Sequence, residues 1–225
     1  MSVGVEICVW EARPGESEAF WRSLSPDEKE RADKFFRAVD RERWIVSRGQ
    51  VRHLLGAATG IEAGAVRFEV EPNGRPYLAG RSSEGPFFNL SHSEHVGILA
   101  LSSEVRVGAD VEAVRQIEDG EIAWALSPAE RALLDSVPSH DRLESFFRFW
   151  TLKEAFMKGT GLGASLPLHD FDMDLDGPSL KRLAGLPDEP VRWRFAEGVP
   201  AAGMRAAIAV RSEAQDIAVT WRHID

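Results

Sequence analysis

The pentapeptide LSPDE at residues 24–28 recurs as LSPAE at residues 126–130. In both copies the serine can cap a helix, the proline suits the first helical position, and the glutamate completes a capping box. An Asp-Arg pair and then a helix-ending glycine follow each copy at intervals that agree within one residue. These residues are Asp40, Arg41 and Gly60 in the first copy and Asp141, Arg142 and Gly161 in the second. Such matched spacing favours an internal duplication over the chance similarity of two capped helices.

The patterns around the two copies predict an α+β fold. Apolar or alternating runs predict strands at residues 3–10, 66–70, 87–90, 95–101, 105–112, 191–195, 205–210 and 217–221. The caps predict one helix through Phe36 and a longer one that ends near Gly60, with counterparts in the second copy. We therefore expect two similar α+β halves related by a pseudo-twofold axis, residues 1–104 and 105–225, with a ligand cleft between them.

Composition and charge narrow the class of protein. The 225-residue chain has a net charge of -9, whereas a general nucleic-acid binder needs a basic face. Its apolar runs are too short to span a bilayer, and Glu6 interrupts the apolar start, which argues against a signal peptide. The single cysteine, Cys8, alternates with apolar residues, so we expect a buried side chain and no internal disulfide. We predict a cytoplasmic protein, and a monomer, because internal duplication removes the need for a second chain.

Two carboxylates share one face of the predicted strand at residues 105–112. Asp110 and Glu112 are two positions apart, so their side chains point the same way. Neighbouring carboxylates repel each other unless a cation or a proton lies between them. Gly108, on the same face, would leave space beside them. This segment alone fits a solvated strand face and a cation site equally well.

The segment FFRFWTLKEAFMK at residues 146–158 favours the cation site. Its apolar residues surround most of the helix axis, so the helix should be buried on several sides. Trp150, Glu154 and Lys158 are four residues apart and share one stripe, with Lys153 beside it. The alternative is a surface Glu-Lys pair. Because unpaired charge is costly to bury, we expect these few polar residues to face a polar cavity.

Asp110, Glu112 and Glu154 together offer three carboxylate groups. Such oxygen ligands suit Mg2+, with Mn2+ as an alternative. Zinc is disfavoured, because no His and Cys residues occur at ligand spacing.

Candidate phosphate-binding residues precede the strand at residues 95–101. Ser91 and His92 could donate to phosphate oxygens, or they could cap a turn. Further cationic candidates are Arg31, Arg43, Arg48, Arg52 and Arg75. Spacing alone does not choose among them. The sequence has no P-loop and no GxGxxG motif, and the lack of a GxSxG elbow makes a serine hydrolase a weak alternative.

Two motifs, in this order, resemble the signature of a known enzyme family. The chain has G-x-D-x-E at residues 108–112 and W-x-x-K-E-A-x-x-K at residues 150–158. This pair is similar to the signature of the 4'-phosphopantetheinyl transferases, and the duplicated length resembles their long, surfactin-synthetase-activating type. Further matches to that type are N-x-S-H at residues 89–92, G-R-P at residues 74–76, and Arg31. The resemblance runs from about Ser25 to Pro167.

The resemblance implies the fold of that transferase type and a defined reaction. The chain would move the 4'-phosphopantetheine group of coenzyme A onto a serine of an acyl or peptidyl carrier protein and release 3',5'-ADP. Asp110, Glu112 and Glu154 would hold magnesium against the pyrophosphate, with manganese as the alternative metal. Glu154, directly or through a water molecule, would help to deprotonate the serine. Lys158 would contact phosphate and stabilise the charge that develops there.

The resemblance also implies a coenzyme A site. Its residues would be Arg31, Arg75, Asn89, Ser91, His92, Lys153 and Lys158. Ser91 and His92 would contact phosphates. Arg31 and Arg75 would lie near the adenosine 3'-phosphate, where some relatives have Lys at the second position and Arg would bind in a fork. Glu130 matches a family glutamate but also completes a capping box, so its role stays open.

Two other interpretations remain open on the sequence. A different magnesium enzyme that acts on a phosphoanhydride would explain the carboxylates, but not the match of basic residues across the two copies, where Arg52 aligns with Lys153. A non-catalytic module that binds coenzyme A or a carrier would not need the complete acidic set and Lys158. The sequence does not identify the carrier. We expect contacts to it around residues 117–125, which are acidic rather than basic.

Overall fold

The computed structural model describes residues 2–81, 84–185 and 188–224, and it confirms the α+β class. The helices are α1 (Ser17–Trp21), α2 (Pro26–Asp33), α3 (Ala38–Thr59), α4 (Asp119–Ala125), α5 (Pro128–Ser136) and α6 (Arg142–Thr160). The strands are β1 (Ser2–Glu11), β2 (Phe68–Val70), β3 (Pro76–Leu78), β4 (Phe87–Ser93), β5 (Val96–Ser102), β6 (Val107–Ala113), β7 (Phe171–Asp174), β8 (Ser179–Leu183), β9 (Trp193–Gly198), β10 (Met204–Arg211) and β11 (Asp216–His223). Within the described ranges, no helix combines the length and the apolar character that crossing a bilayer requires.

Two sheets repeat one arrangement of strands. In the first sheet the order is β11-β1-β5-β4, with β1 and β11 parallel and the other neighbours antiparallel. The second sheet, β6-β10-β9, is antiparallel throughout. Its order matches β1-β5-β4, and each half adds a hairpin, β2-β3 or β7-β8. The repeated order supports the predicted duplication. The pseudo-twofold axis and the division between residues 104 and 105 stay predictions.

The helix caps form as predicted. Ser25 and Ser127 each accept a hydrogen bond from the backbone N–H of the glutamate three residues later. The carboxylates of Glu28 and Glu130 accept a hydrogen bond from the serine N–H in return. The glycines that end α3 and α6 have φ values of 73° and 75°, a left-handed conformation that favours glycine.

Helix α2 ends earlier than predicted. It stops at Asp33 instead of running through Phe36. Phe35 leaves the helix and its ring lies 5.9 Å from the ring of Trp44 on α3, while Phe36 is fully exposed. The packing of Phe35 against α3 therefore outweighs its tendency to continue α2. This contact between two helices cannot be read from the local sequence pattern.

Three layers of side chains form most of the core of the described residues, and a smaller cluster lies between α2 and α3. Alternate residues of both sheets fill the space between them, and Ile7, Ile98, Val111 and Ile208 are completely buried there. Helix α3 covers the outer face of the first sheet, and α6 covers the outer face of the second. The stack therefore runs α3, first sheet, second sheet, α6, and it joins the two halves through their sheets.

Gly108 allows β6 and α6 to approach each other closely. A Cβ atom at this position would overlap the carbonyl oxygen of Ala155 and the backbone nitrogen of Gly159. The expectation that Gly108 leaves space beside the carboxylates is therefore wrong, because the α6 backbone fills that space. The contact fixes how α6 lies over β6.

Replacing Gly108 with alanine should lower the free energy of unfolding by about 3 kcal/mol or more, because the added methyl group collides with backbone atoms that cannot rotate away. Urea unfolding would measure the change. Gly120→Ala in α4 is the matched control. Its Cβ would meet nothing within 4 Å, and alanine favours a helix by up to about 1 kcal/mol. Equal urea midpoints for Gly108→Ala and the unmodified chain would contradict the close-approach argument.

Candidate active site

The acidic face of β6 lies against the polar stripe of α6. Lys158 contacts Asp110, and Trp150 contacts Glu112. Between residues 150 and 158, every side chain is buried except Trp150, Glu154 and Lys158. The predicted polar stripe is therefore confirmed, and it lies on the one side of this helix that both reaches β6 and opens to solvent.

Asp110 is a buried carboxylate with one unused oxygen. Only 3% of the residue is exposed. Its Oδ1 atom accepts hydrogen bonds from Lys158 Nζ at 2.6 Å and from Ser91 Oγ at 2.8 Å. Its Oδ2 atom is also buried and has no hydrogen-bond partner among the residues that the structure describes. A buried acceptor without a partner costs about 1–3 kcal/mol, so Oδ2 is a natural place for a further ligand.

Both oxygens of Glu112 have donors. Ser93 Oγ donates to Oε2 at 2.9 Å, and the indole Nε1 of Trp150 donates to Oε1 at 3.3 Å. The two donors come from different elements, β4 and α6. Together they restrict the rotation of the carboxylate.

Burial raises the pKa of all three carboxyl groups. For Asp110, Lys158 and Ser91 oppose the rise in pKa, whereas the charge of Glu154 adds to it. The charge of Asp110 raises the pKa of Glu112 further. For Glu154, Lys158 lowers the pKa and Glu112 raises it. The three groups therefore lie close enough to sense one another's charge, and a cation among them would relieve the repulsion.

The donor chemistry of this cluster fits a hard cation, although the side chains are not arranged around one. Within residues 2–81, 84–185 and 188–224, no three His, Cys, Asp or Glu side chains form a group that could hold a metal ion. The ammonium group of Lys158 pairs with Oδ1 of Asp110. The orphaned Oδ2 and the flanking carboxylates are the oxygen ligands that Mg2+ prefers. The metal itself stays a prediction.

Polar side chains of β4 attach the first half of the chain to β6. Asn89 Oδ1 accepts a hydrogen bond from the N–H of Ala109 at 3.0 Å, and Ser91 Oγ accepts one from Val111 at 3.3 Å. Ser93 Oγ continues the series with the N–H of Ala113 at 3.1 Å. These contacts give Asn89 and Ser91 a structural role, and their predicted contacts with coenzyme A stay predictions.

Lys153 does not face the polar cavity, and that expectation is wrong. Its side chain is completely buried beside Glu130. The ammonium group donates to both oxygens of Glu130, at 2.9 and 2.7 Å, and to the carbonyl of Phe171 at 2.8 Å. All three protons are used, so none is left for coenzyme A. Lys153 lies one position before Glu154, and that single step around the helix moves it from the open side into the core.

The role of Glu130 is structural. Besides capping α5 and pairing with Lys153, its Oε1 atom accepts a hydrogen bond from the N–H of Met173 at 2.8 Å. The residue is 1% exposed. It therefore joins α5, α6 and β7.

The guanidinium group of Arg75 is largely occupied by the protein. It donates to the carbonyls of Lys158 at 2.7 Å, Phe88 at 3.0 Å and Val107 at 2.8 Å. These bonds tie the end of α6 to β4 and β6. The contact predicted with the 3'-phosphate stays a prediction, and it would have to use the protons that remain on Nε and Nη1.

Arg31 and His92 are exposed and available to a ligand. The guanidinium of Arg31 lies 5.7 Å from the ring centre of Trp44. His92 stands on the exposed face of β4, one residue after Ser91. Their predicted contacts with coenzyme A stay predictions.

An aromatic cavity adjoins the carboxylates, and the sequence analysis did not find it. It has a volume of about 240 Å3 and is lined by Trp124, Trp150, Phe146, Phe147 and Arg115, with Glu112 in its wall. The rings of Trp124 and Trp150 lie 5.3 Å apart, and Trp124 is 63% exposed. Because α4 was not predicted, no local pattern placed Trp124 beside α6.

Comparisons with known sequences match both halves of the chain to one family. A sequence model of the 4'-phosphopantetheinyl transferase superfamily matches residues 106–211. A second model, 4'-phosphopantetheinyl transferase, N-terminal, matches residues 8–104. The first range contains β6 and α6, and the second contains β4. Both sides of the site therefore fall within matched sequence.

Individual proteins with similar sequences come from bacteria and a mammal. The 4'-phosphopantetheinyl transferase HetI of Nostoc sp. is 36% identical over 191 residues, which cover 84% of this chain and 78% of that protein. The 4'-phosphopantetheinyl transferase Sfp of Bacillus subtilis is 28% identical over 160 residues, which cover 71% of this chain and 70% of that protein. The L-aminoadipate-semialdehyde dehydrogenase-phosphopantetheinyl transferase of Mus musculus is 31% identical over 211 residues, which cover 84% of this chain and 68% of that protein.

Lys153→Met should lower the free energy of unfolding by about 3–5 kcal/mol, because it leaves the carboxylate of Glu130 buried without its cation. Lys181→Met is the control, since the Lys181 side chain is 61% exposed in its pair with Asp174, and surface pairs contribute about 0–1 kcal/mol. Urea unfolding would compare the two variants. If the Lys153→Met protein is as stable as the unmodified chain but binds coenzyme A more weakly, Lys153 contacts coenzyme A and the structural interpretation is wrong.

Proposed function

Because this chain belongs to the 4'-phosphopantetheinyl transferase superfamily, we propose that it transfers 4'-phosphopantetheine from coenzyme A to a serine of an acyl or peptidyl carrier protein. The proposal rests on one observation: the acidic face of β6 lies against the polar stripe of α6. The residues involved are Asp110 and Glu112 on β6 and Glu154 and Lys158 on α6. These residues come from both family motifs, and the buried Oδ2 of Asp110 lacks a partner among the described residues.

The proposed reaction is a displacement at phosphorus. The serine oxygen forms a bond to the β-phosphorus of coenzyme A. The bond from that phosphorus to the bridging oxygen breaks, and 3',5'-ADP leaves with the electron pair. The serine proton moves to Glu154, directly or through a water molecule. Negative charge grows on the phosphoryl and bridging oxygens, so cationic groups placed there lower the barrier.

Glu154 suits the role of base in this scheme. Burial raises the pKa of its carboxyl group, so it takes up a proton more readily than an exposed carboxylate would. It is half-buried, and no protein donor satisfies it among the residues that the structure describes. Its oxygens therefore remain free to accept a proton or a ligand.

Lys158 supplies mobile positive charge. Its ammonium group is 2.6 Å from Asp110 Oδ1 and 3.2 Å from Ser91 Oγ, and 28% of the side chain is exposed. Its flexible stem allows it to turn from the carboxylate to an incoming phosphate. Asp110, Glu112 and Glu154 would hold a magnesium ion, with manganese as the alternative. When bound, the ion would offset charge on the pyrophosphate.

Each half contributes to the site, which supports the proposal that one chain is sufficient. Asn89, Ser91 and Ser93 reach the site from β4 in the first half, whereas the carboxylates belong to the second. The monomeric state and the cytoplasmic location stay predictions.

Incubation with coenzyme A, Mg2+ and an apo carrier protein should raise the mass of the carrier by one phosphopantetheine group and release an equal amount of 3',5'-ADP. Intact-protein mass spectrometry and chromatography would measure the two products. A carrier whose serine is replaced by alanine is the control. Release of nucleotide without any change in carrier mass would favour a hydrolase and contradict the transferase.

Glu154→Gln should reduce kcat/KM for carrier modification by about 100-fold or more, because the amide can neither accept the serine proton nor carry the ligand charge. Thermal unfolding should show that the fold survives, since the residue is half-exposed. Glu30→Gln on the exposed surface of α2 is the control. Undiminished turnover in Glu154→Gln would remove this residue from the mechanism.

A further inference from the structure

Ser93 touches the site without taking part in the chemistry proposed above. It is the last residue of β4, at the junction between the two halves. Its Oγ atom lies 2.9 Å from Oε2 of Glu112 and 3.1 Å from the backbone nitrogen of Ala113. The serine therefore contacts a carboxylate and the strand that carries it at the same time.

The direction of these two bonds is fixed by the number of available protons. A serine hydroxyl has one proton, and the N–H of Ala113 can only donate. The oxygen of Ser93 must accept the bond from Ala113, and its proton then points to Glu112. Because that proton is used, Ser93 has none to donate to a phosphate while Glu112 keeps its present position.

A second donor holds the other oxygen of Glu112. The indole Nε1 of Trp150 reaches Oε1 at 3.3 Å. A glutamate side chain rotates about three bonds, and fixing it against this freedom costs up to about 2 kcal/mol. Donors on both oxygens have already restricted that rotation, so the carboxylate is oriented before any ligand arrives.

We infer that Ser93 is a positioning residue that orients the Glu112 carboxylate toward a divalent cation. The inference rests on the proposed function, because it assumes the metal named there. A residue outside the ligand set that hydrogen-bonds to a ligand commonly changes metal affinity by about 10- to 100-fold when it is removed. Ser93, in the first half of the chain, thereby orients Glu112, a proposed metal ligand in the second half.

Ser93 is a cleaner test of this role than Ser91. Ser91 contacts Asp110, Lys158 and Val111 together, so its removal would disturb the cation that pairs with Asp110 as well as the carboxylate. Among the described residues, the hydroxyl of Ser93 bonds only to Glu112 and to the N–H of Ala113. A change in metal affinity at this position therefore reports on Glu112.

The test is Mn2+ binding to the full chain in the presence of coenzyme A, measured by electron paramagnetic resonance. Ser93→Ala removes the donor and should raise the dissociation constant for Mn2+ by about 10-fold or more. Ser93→Thr keeps the hydroxyl group and should bind Mn2+ nearly as the unmodified chain does. Ser102→Ala is the matched control. Its hydroxyl also links strands, by donating to the carbonyl of Gly4, but it is not bonded to a carboxylate.

The outcomes separate positioning from a structural role. Both Ser93→Ala and Ser102→Ala should lose some thermal stability, but only the former should lose Mn2+ affinity. Equal Mn2+ affinity in Ser93→Ala and the unmodified chain, or equal losses in Ser93→Ala and Ser93→Thr, would overturn the inference. Absence of Mn2+ binding to the unmodified chain would overturn it as well.

A second variant covers the case in which Ser93→Ala does not fold. Ser93→Cys has a similar shape and only a weak donor, so it should show the same direction of change in Mn2+ affinity. A separate assay measures whether the unmodified chain transfers phosphopantetheine to the carrier. If that chain modifies the carrier and the Ser93 variants bind Mn2+ normally, the positioning role fails and the proposed function stands.

Discussion

The site depends on the close approach of α6 to β6 at Gly108. Two backbones meet there with no side chain between them, because a Cβ at Gly108 would overlap backbone atoms of Ala155 and Gly159. The contact determines where the stripe of α6 lies relative to the acidic face of β6. Lys158 then reaches Asp110, and Trp150 reaches Glu112. A side chain at position 108 would push α6 away from β6. Lys158 would then no longer reach Asp110, and Trp150 would no longer reach Glu112.

The same supporting device occurs once in each half. In the first half, Glu28 caps α2 and pairs with the buried Arg52, whose guanidinium also bonds the carbonyls of Ala63 and Val66. In the second, Glu130 caps α5 and pairs with the buried Lys153. Each pair anchors a short helix to the long helix beneath it. The scaffold is thus repeated, whereas the carboxylates of the site belong to the second half only.

Much of this arrangement could be predicted because it is local. Capping residues, helix-ending glycines and strand alternation act within a few positions of one another, so the sequence indicates α3, α6 and β6 directly. The shared direction of Asp110 and Glu112 also follows from the two-residue repeat of a strand. The stripe of Trp150, Glu154 and Lys158 follows from helical spacing in the same way.

What the sequence did not predict depends on contacts between distant elements. Spacing places Lys153 beside Glu154, but only the position of Glu130 shows that the lysine turns into the core. The sequence also gives no sign that three carbonyls from separate elements converge on the guanidinium group of Arg75. The alternation of Asn89, Ser91 and Ser93 on β4 is the local signal in the sequence that corresponds to the link with β6.

Strand β11 follows the second half in sequence but pairs in parallel with β1, so residues 2–9 lie beside residues 216–223. During synthesis on a ribosome, this edge of the first sheet can form only after residues 216–223 have been made. Contacts of such long sequence separation slow folding. A chain cut between the two repeated units would keep β1 paired with β5 but would remove β11, so the first unit alone would have an open sheet edge at β1.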